Sequence, residues 1–201
     1  MPFPRFLAPG LIMMAIIQNS FANGASSLLI SKIQGNIVDL LMPPLGPGEL
    51  SFCFAMAGAT RGLVCGAAVA LGMSLFVDNS VAHIWPIVFY GVGAGLLLSQ
   101  IGVTSGIWAD KFDHMATITN FVITPLAFLS GTFYSIDRLP EPWYGLSQIN
   151  PFFYIIDGFR YGFIDHADGA LGIGIAVLVL LNAVMWICNY LILRSGWKLK
   201  T

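Results

Sequence analysis

Few side chains in this chain could do chemistry, because only 9% of its 201 residues are charged. Arg61 lies inside an apolar run, where a charged group is costly unless it pairs, reaches the interface or faces a polar cavity. Asp157 and Arg160 are three residues apart, so on a helix they share a face and could pair. Arg61 is a candidate pathway or gate residue, with snorkelling to the interface left equally open, and Asp157 and Arg160 are expected to form a structural ion pair.

Catalytic and metal chemistry is not indicated elsewhere. Asp165, His166 and Asp168 have the composition of a metal site, but a short polar loop gives the same pattern, and we expect no metal. Cys53 and Cys65, like the third cysteine, lie in apolar runs without metal-ligand or paired spacing, as small buried hydrophobes do. The sequence contains no HExxH, GxSxG or GxxxxGK[ST] motif, so we predict that the chain is no enzyme and hydrolyses no ATP.

Composition predicts an integral membrane protein. The chain is 57% hydrophobic with a mean hydropathy of +0.80. Its net charge of −1 and nine basic residues argue against nucleic-acid binding, which relies on clustered Lys and Arg. We expect one polytopic all-α membrane domain over residues 1–201, with no soluble domain.

Five stretches reach the roughly 20 apolar residues that a helix needs to cross about 30 Å of hydrocarbon. The predicted spans are 6–30, 51–77, 84–109, 115–136 and 169–193, and the second is interrupted by Arg61. Residues 143–156 are uncharged for too short a length and contain Pro151, which favours a re-entrant or interfacial element. Such backbone is tolerated in a membrane where protein or a polar cavity shields it, which is typical of a transport path.

Basic residues predict the orientation, since Lys and Arg in short loops stay cytoplasmic. With the carboxyl terminus inside, the cytoplasmic group is Lys32, Lys111, Arg194, Lys198 and Lys200. The external group is Arg5, Arg138 and Arg160. This arrangement puts the amino terminus outside, which normally requires a preceding span. A cleaved secretory signal is the alternative, but the uncharged run continues to residue 30 and cleavage would invert every later loop, so truncation of a longer parent is the favoured explanation.

The loop at residues 31–50 is amphipathic. Its apolar residues recur at helical spacing, and its polar residues fall elsewhere on the helical wheel. The apolar set is Ile33, Ile37, Leu40 and Leu41, and the polar set is Lys32, Gln34, Asn36 and Asp39. The sequence predicts a short surface helix that Pro43 and Pro44 end. Such a helix either lies at the lipid headgroups or docks a soluble partner.

Small-residue spacing and external aromatic residues complete the pattern. Glycines recur every four residues at Gly58, Gly62 and Gly66, which predicts close helix packing, chiefly within one protomer. Pairs with the same spacing are Gly91 with Gly95 and Gly102 with Gly106.

Aromatic rings crowd the segment after residue 142 and favour an anchoring belt, or a surface that guides sugar or lipid. These rings belong to Trp143, Tyr144, Phe152, Phe153, Tyr154, Phe159 and Tyr161.

Two groups of residues carry a resemblance to a known family. One is the loop that ends in Leu40, Leu41, Met42 and Pro43, and the other is Gly131, Leu139, Pro140, Trp143, Asn150, Pro151, Asp157 and Arg160. In this order the chain resembles the membrane subunit of type 2 ABC transporters (ABC-2 permeases), especially the bacterial exporter branch. The resemblance implies six spans, a cytoplasmic coupling helix and external re-entrant helices before the last span. The family's amino-terminal segment and first span have no counterpart here.

The resemblance also implies a function and partners. It implies one permease of a homodimer in the bacterial inner membrane, which forms the translocation path and binds a separate ATPase subunit that holds ATP and magnesium. It assigns coupling to the ATPase to the eight loop residues named above, from Lys32 to Leu41. It assigns the external re-entrant hairpin to Trp143, Asn150, Pro151, Tyr154, Asp157 and Arg160. The chain itself binds no cofactor. Drugs, lipids, lipid-linked glycans and polysaccharides all remain open as substrates.

Two alternatives stay open. A secondary transporter would carry intramembrane carboxylates or an internal repeat, and the five predicted spans contain no Asp or Glu. A membrane scaffold that transports nothing has no such requirement.

Overall fold

The computed structural model describes residues 3–37, 39, 44–77, 81–132 and 150–197. All regular structure in these ranges is helical, which confirms the predicted class of polytopic helical membrane protein. The α-helices are α1 (Phe3–Ile33), α2 (Pro47–Ser74), α3 (Ile84–Trp108), α4 (Phe112–Ile118), α5 (Thr124–Leu129), α6 (Pro151–Ile164) and α7 (Leu171–Ser195). A π-helical segment, Thr119–Ile123, joins α4 to α5.

Within the described ranges, four helices are long and apolar enough to cross a membrane. They are α1, α2, α3 and α7, and each overlaps a predicted span. The remaining predicted span, 115–136, corresponds to α4, the π segment and α5, and its last residues lie outside the described ranges. Pro125 has no N–H to donate at the start of α5, and the Thr124 N–H bonds to the Thr119 carbonyl five residues back. The five-span count stays a prediction.

Helices α1 and α3 form the centre of the bundle: α1 packs against α2, α3 and α6, and α3 packs also against α2, α6 and α7. Glycines allow the close approach: a methyl group at Gly62 of α2 would lie 2.8 Å from the Ile16 carbonyl oxygen of α1. A methyl at Gly102 of α3 would lie 3.0 Å from the Ala25 nitrogen. These contacts confirm the prediction that the glycine pattern packs helices within one protomer.

Helix α7 is held on α3 by side-chain amides as well as by close packing at Gly93 and Gly174. Gln100 Nε2 donates to Asn182 Oδ1 at 3.2 Å, and Asn189 Nδ2 donates to the Gln100 carbonyl at 3.1 Å. The opposite face of α7 is apolar and exposed, with Leu180 and Leu191 among its residues. This face suits lipid, whereas the amides fix the helix against its neighbour.

The helices alternate in direction, which gives the bundle two ends. At the loop end, α1 finishes beside the end of α3, and a cluster of Leu28, Ile37, Leu50, Ile107 and Leu193 is buried there. At the hairpin end, α6 packs beside the starts of α1, α3 and α7. This division separates the basic residues as predicted, with Lys32, Lys111 and Arg194 at the loop end, opposite Arg5 and Arg160. Arg138, Lys198 and Lys200 lie outside the described residues.

Candidate functional site

The predicted coupling segment starts as the last turn of α1. Helix α1 continues to Ile33, the chain turns at 34–36 with Gly35 at φ 74°, and helical conformation resumes at Ile37. Because glycine tolerates this left-handed conformation, it ends the helix and divides the predicted apolar stripe. Ile37 is buried, whereas Ile33 is 54% exposed. The prediction of one continuous amphipathic face was therefore wrong at Ile33 and Ile37, and Leu40 and Leu41 lie outside the described residues.

Lys32 has a structural position that the sequence did not indicate. Its ammonium group donates to the carbonyls of Ile107 and Ala109 at 2.8 and 2.9 Å, and lies 3.6 Å from Asp110 Oδ1. A cation at these carbonyls caps the negative end of α3. The side chain is only 9% exposed. Lys32 thus ties the end of α1 to the α3–α4 turn, rather than facing outward from an amphipathic helix as the helical wheel predicted.

The remaining described residues of the coupling segment form an exposed surface. Ile33, Gln34, Asn36 and Asp39 are all exposed. The α3–α4 turn, which Lys32 holds beside this segment, exposes two aromatic residues, Trp108 and Phe112. We call this group of six side chains the loop-end surface. It combines apolar, amide and acidic groups, the mixture found on protein-binding surfaces.

At the hairpin end, Asn150 fixes the start of α6. Its Oδ1 accepts from the Phe152 N–H at 3.0 Å, and its Nδ2 donates to the Leu126 carbonyl of α5 at 2.8 Å. Pro151 follows in the first turn, where its missing N–H removes no helical bond. Helix α6 is therefore capped and tied to α5 by a single side chain. Trp143, the other end of the predicted hairpin, lies outside the described residues.

Asp157 and Arg160 are both buried in α6, but they bind different segments instead of each other. The Asp157 carboxylate accepts the N–H groups of Asp168 and Gly169 at 3.0 and 2.9 Å. Burial raises the pKa of Asp157, and these two donors oppose that rise. Arg160 donates to the Gly131 carbonyl at 2.6 Å and lies 3.9 Å over the Phe6 ring. The predicted pairing of the two side chains was wrong, because each fastens α6 to a separate part of the bundle.

The hairpin aromatics divide into buried and partly exposed rings. Phe152, Phe153 and Phe159 are buried in the core, so they hold α6 in place. Tyr154 and Tyr161 are half-buried, and Tyr161 stacks on His83 with ring centroids 5.3 Å apart. Among the described rings of the predicted belt, Tyr154 and Tyr161 are the two that are not buried.

Asp165, His166 and Asp168 do not converge on one point. Asp165 pairs with His83 at 2.9 Å, and His166 lies 3.5 Å from Asp168, whose N–H binds Asp157. Across the described ranges, no group of three or more His, Cys, Asp or Glu is arranged to hold a metal ion.

Arg61 lies near the middle of the 28-residue helix α2 and is exposed at the side of the bundle. Its Nη1 donates to Asn23 Oδ1 of α1 at 3.2 Å. Asn23 belongs to a half-buried polar stripe of α1 that was not among the predicted site residues, although its helical spacing could have revealed it. The stripe consists of Asn19, Asn23, Ser26 and Ser27.

Comparison with known proteins gives a consistent result. The profile of the ABC-2 type transporter family matches residues 3–164. The inner membrane transport permease YadH of Escherichia coli K12 is 37% identical over 200 residues, which cover 99% of this chain and 78% of that protein. Nodulation protein J of Sinorhizobium fredii is 23% identical over 184 residues, 89% of this chain and 69% of that protein.

Proposed function

The chain belongs to the ABC-2 type transporter family as a multi-pass inner-membrane permease subunit, and from that premise we propose how it works. Two copies form an export path, and each binds an ATPase subunit through the loop-end surface. ATP and magnesium are held by that partner, and this chain binds no cofactor. The loop end and the carboxyl terminus face the cytoplasm, and the hairpin end faces outward.

The observation that carries this proposal is the Lys32 clamp beside the exposed loop-end surface. Lys32 belongs to α1 and grips the last carbonyls of α3, so a force on the turn at 34–36 acts on two long helices at once. Packing transmits displacement through such rigid elements rather than absorbing it locally. The role of Lys32 is then to pass on the motion, while Ile33, Gln34, Asn36 and Asp39 contact the ATPase.

The grouping of basic side chains supports the proposed orientation. Lys32, Lys111 and Arg194 share the loop end, and basic residues in short loops favour the cytoplasmic side. At the opposite end, α6 is buried between the starts of three long helices. There Asn150, Asp157 and Arg160 hold it as a fixed cap on the outer end of the bundle.

Co-purification with the ABC ATPase encoded alongside the permease tests the coupling surface. We expect Ile33→Ser to reduce ATPase recovery at least tenfold, because it removes an apolar side chain that is 54% exposed on the loop-end surface. Val81→Ser is the matched control, since Val81 is 51% exposed at the hairpin end. Both variants should elute in gel filtration as the parent does. Undiminished recovery with Ile33→Ser, or equal losses in both variants, would contradict the proposal.

A further inference from the structure

We propose that Arg61 and Asn23 form a binding site for the anionic headgroup, a phosphate ester, of an amphiphilic substrate. The inference rests on the proposed export function and names the substrate class for its path. It also gives a role to Arg61, for which the sequence left gating and snorkelling equally open.

The position of Arg61 in the middle of helix α2 makes its charge energetically costly. Pro47 begins α2, so Arg61 is about 21 Å along a helix that rises about 1.5 Å per residue, and a similar length follows it to Ser74. Both ends are too distant for the side chain to reach the interface from the centre of a hydrocarbon layer about 30 Å thick. A charged side chain there is stabilised by a polar cavity or an opposite charge.

Arg61 and Asn23 together offer many hydrogen-bond donors. Among the described residues, Asn23 Oδ1 is the single hydrogen-bond partner of the Arg61 guanidinium, which has five N–H donors. Because Asn23 presents its oxygen to Arg61, its Nδ2 donor is left for another acceptor. None of the described ion pairs brings a carboxylate to Arg61. A fork of guanidinium donors beside an amide donor matches the oxygen atoms of a phosphate.

Close packing of α1 and α2 creates this geometry. Gly62 lies against Ser20 and Ile16, and this contact brings the adjacent Arg61 within reach of Asn23. One turn away from Asn23, Asn19 donates to its own helix at the Ala15 carbonyl, so its amide oxygen remains an acceptor. Ser26 and Ser27 both donate to the Asn23 carbonyl. The stripe is thus polar along α1 towards the loop end, while the positive charge is concentrated at Arg61.

The surroundings of the pair favour an amphiphile over a free ion. On the face of α2 that carries Arg61, Ala57 and Val64 are exposed apolar side chains, and Val64 is 64% exposed. A headgroup bound at Arg61 would therefore have its hydrocarbon chain against an apolar helix surface. Inorganic phosphate would meet the same donors but gain nothing from that surface.

Native mass spectrometry of the purified full-length permease tests the site. The probes are dodecyl phosphate, dodecyl maltoside as a neutral amphiphile with the same chain, and inorganic phosphate. We expect dodecyl phosphate to bind at least tenfold more tightly than either other probe. Arg61→Gln should lower the affinity for dodecyl phosphate at least tenfold. Arg194→Gln, which alters an exposed arginine at the loop end, should leave it unchanged.

A second variant covers the case in which Arg61→Gln does not fold. Asn23→Asp places a carboxylate beside Arg61, which would compete with the phosphate and lower its affinity by a similar factor. Equal binding of dodecyl phosphate by the parent and either folded variant would overturn the inference. Binding of dodecyl maltoside by the parent as tight as its binding of dodecyl phosphate would also overturn the inference. Dissociation of the dimer in Arg61→Gln would overturn it too, because the side chain would then serve the contact between copies. ATPase recovery should be normal in both variants, which separates failure of this site from failure of the proposed coupling.

Discussion

The two ends of the bundle treat their charged side chains in opposite ways. At the hairpin end, Asp157 and Arg160 are buried, and each binds backbone groups of a different segment. At the loop end, Lys32 alone among the described charged side chains is mostly buried, while Asp39, Lys111 and Arg194 are exposed. A buried charge with fixed partners holds a structure in one arrangement, and an exposed charge is free to meet a partner. The comparison indicates a locked hairpin end and a receptive loop end.

The difference also bears on how motion could pass through the molecule. An ATPase at the loop end would act on a surface joined to the helices by one lysine and the buried cluster around Ile37. At the hairpin end, α6 is fastened to α1, to α5, to the residues just before α3 and to the loop before α7. Movement would then begin at the loop end, which has few connections to the helices, and be resisted at the hairpin end, which has many.

Asp157→Asn should have the largest effect on stability. The amide can accept only through one oxygen, so it loses charge-assisted bonds to two N–H groups, and we expect the free energy of unfolding to fall by about 3 kcal/mol. Thermal denaturation in detergent measures the change. Asp165→Asn, an exposed carboxylate eight positions along the chain, is the control. Similar stability of the two variants would show that the hairpin end is not locked.

Lys32→Met should have an intermediate effect. Methionine retains the apolar stem, but the carbonyls of Ile107 and Ala109 lose their cationic donor, with a cost of about 1 kcal/mol because water can replace part of it. Lys111→Met at the same end should change the denaturation temperature little. Since the clamp also transmits motion in our proposal, Lys32→Met should bind the ATPase normally yet lower transport-coupled ATP hydrolysis. A variant with normal coupling would remove Lys32 from the transmission path.

His83→Gln should have the smallest effect. The His83 and Asp165 pair is exposed at the hairpin end, where solvent screens it, so we expect a loss of about 0.5 kcal/mol or less. The same denaturation assay measures it. A loss as large as that of Asp157→Asn would mean that exposed pairs also fasten this end, and the contrast between buried and exposed charges would fail.

Much of this fold could be predicted from sequence because lipid imposes simple rules on length and hydrophobicity. Those rules located the four long helices, and the spacing of Gly62 and Gly102 identified real points of close contact. Side-chain partners were harder to predict. The helical wheel placed Lys32 outward, but its long side chain folds back to the end of α3, a contact that joins residues 75 positions apart.

The same limit explains the errors at the hairpin and in the loop. Asp157 and Arg160 are near each other in sequence, yet backbone N–H and carbonyl groups of distant loops compete for them successfully. Gly35 lies inside the stretch that was predicted as one helix, whereas its left-handed conformation ends α1 there. The polar spacing around Asn23 could have been noticed in α1, but it does not show which helix faces it, and its partner Arg61 lies 38 positions away.

Labelling from outside the cell tests the central claim that the loop end faces the cytoplasm, where an ATPase can reach it. Single cysteines at Gln34 and His166, exposed positions at opposite ends, would be introduced after Cys53, Cys65 and Cys188 are replaced by alanine. A membrane-impermeant maleimide added to spheroplasts should label His166→Cys at once and Gln34→Cys only after the membrane is disrupted. Labelling of Gln34→Cys in intact spheroplasts, with His166→Cys protected, would contradict the account.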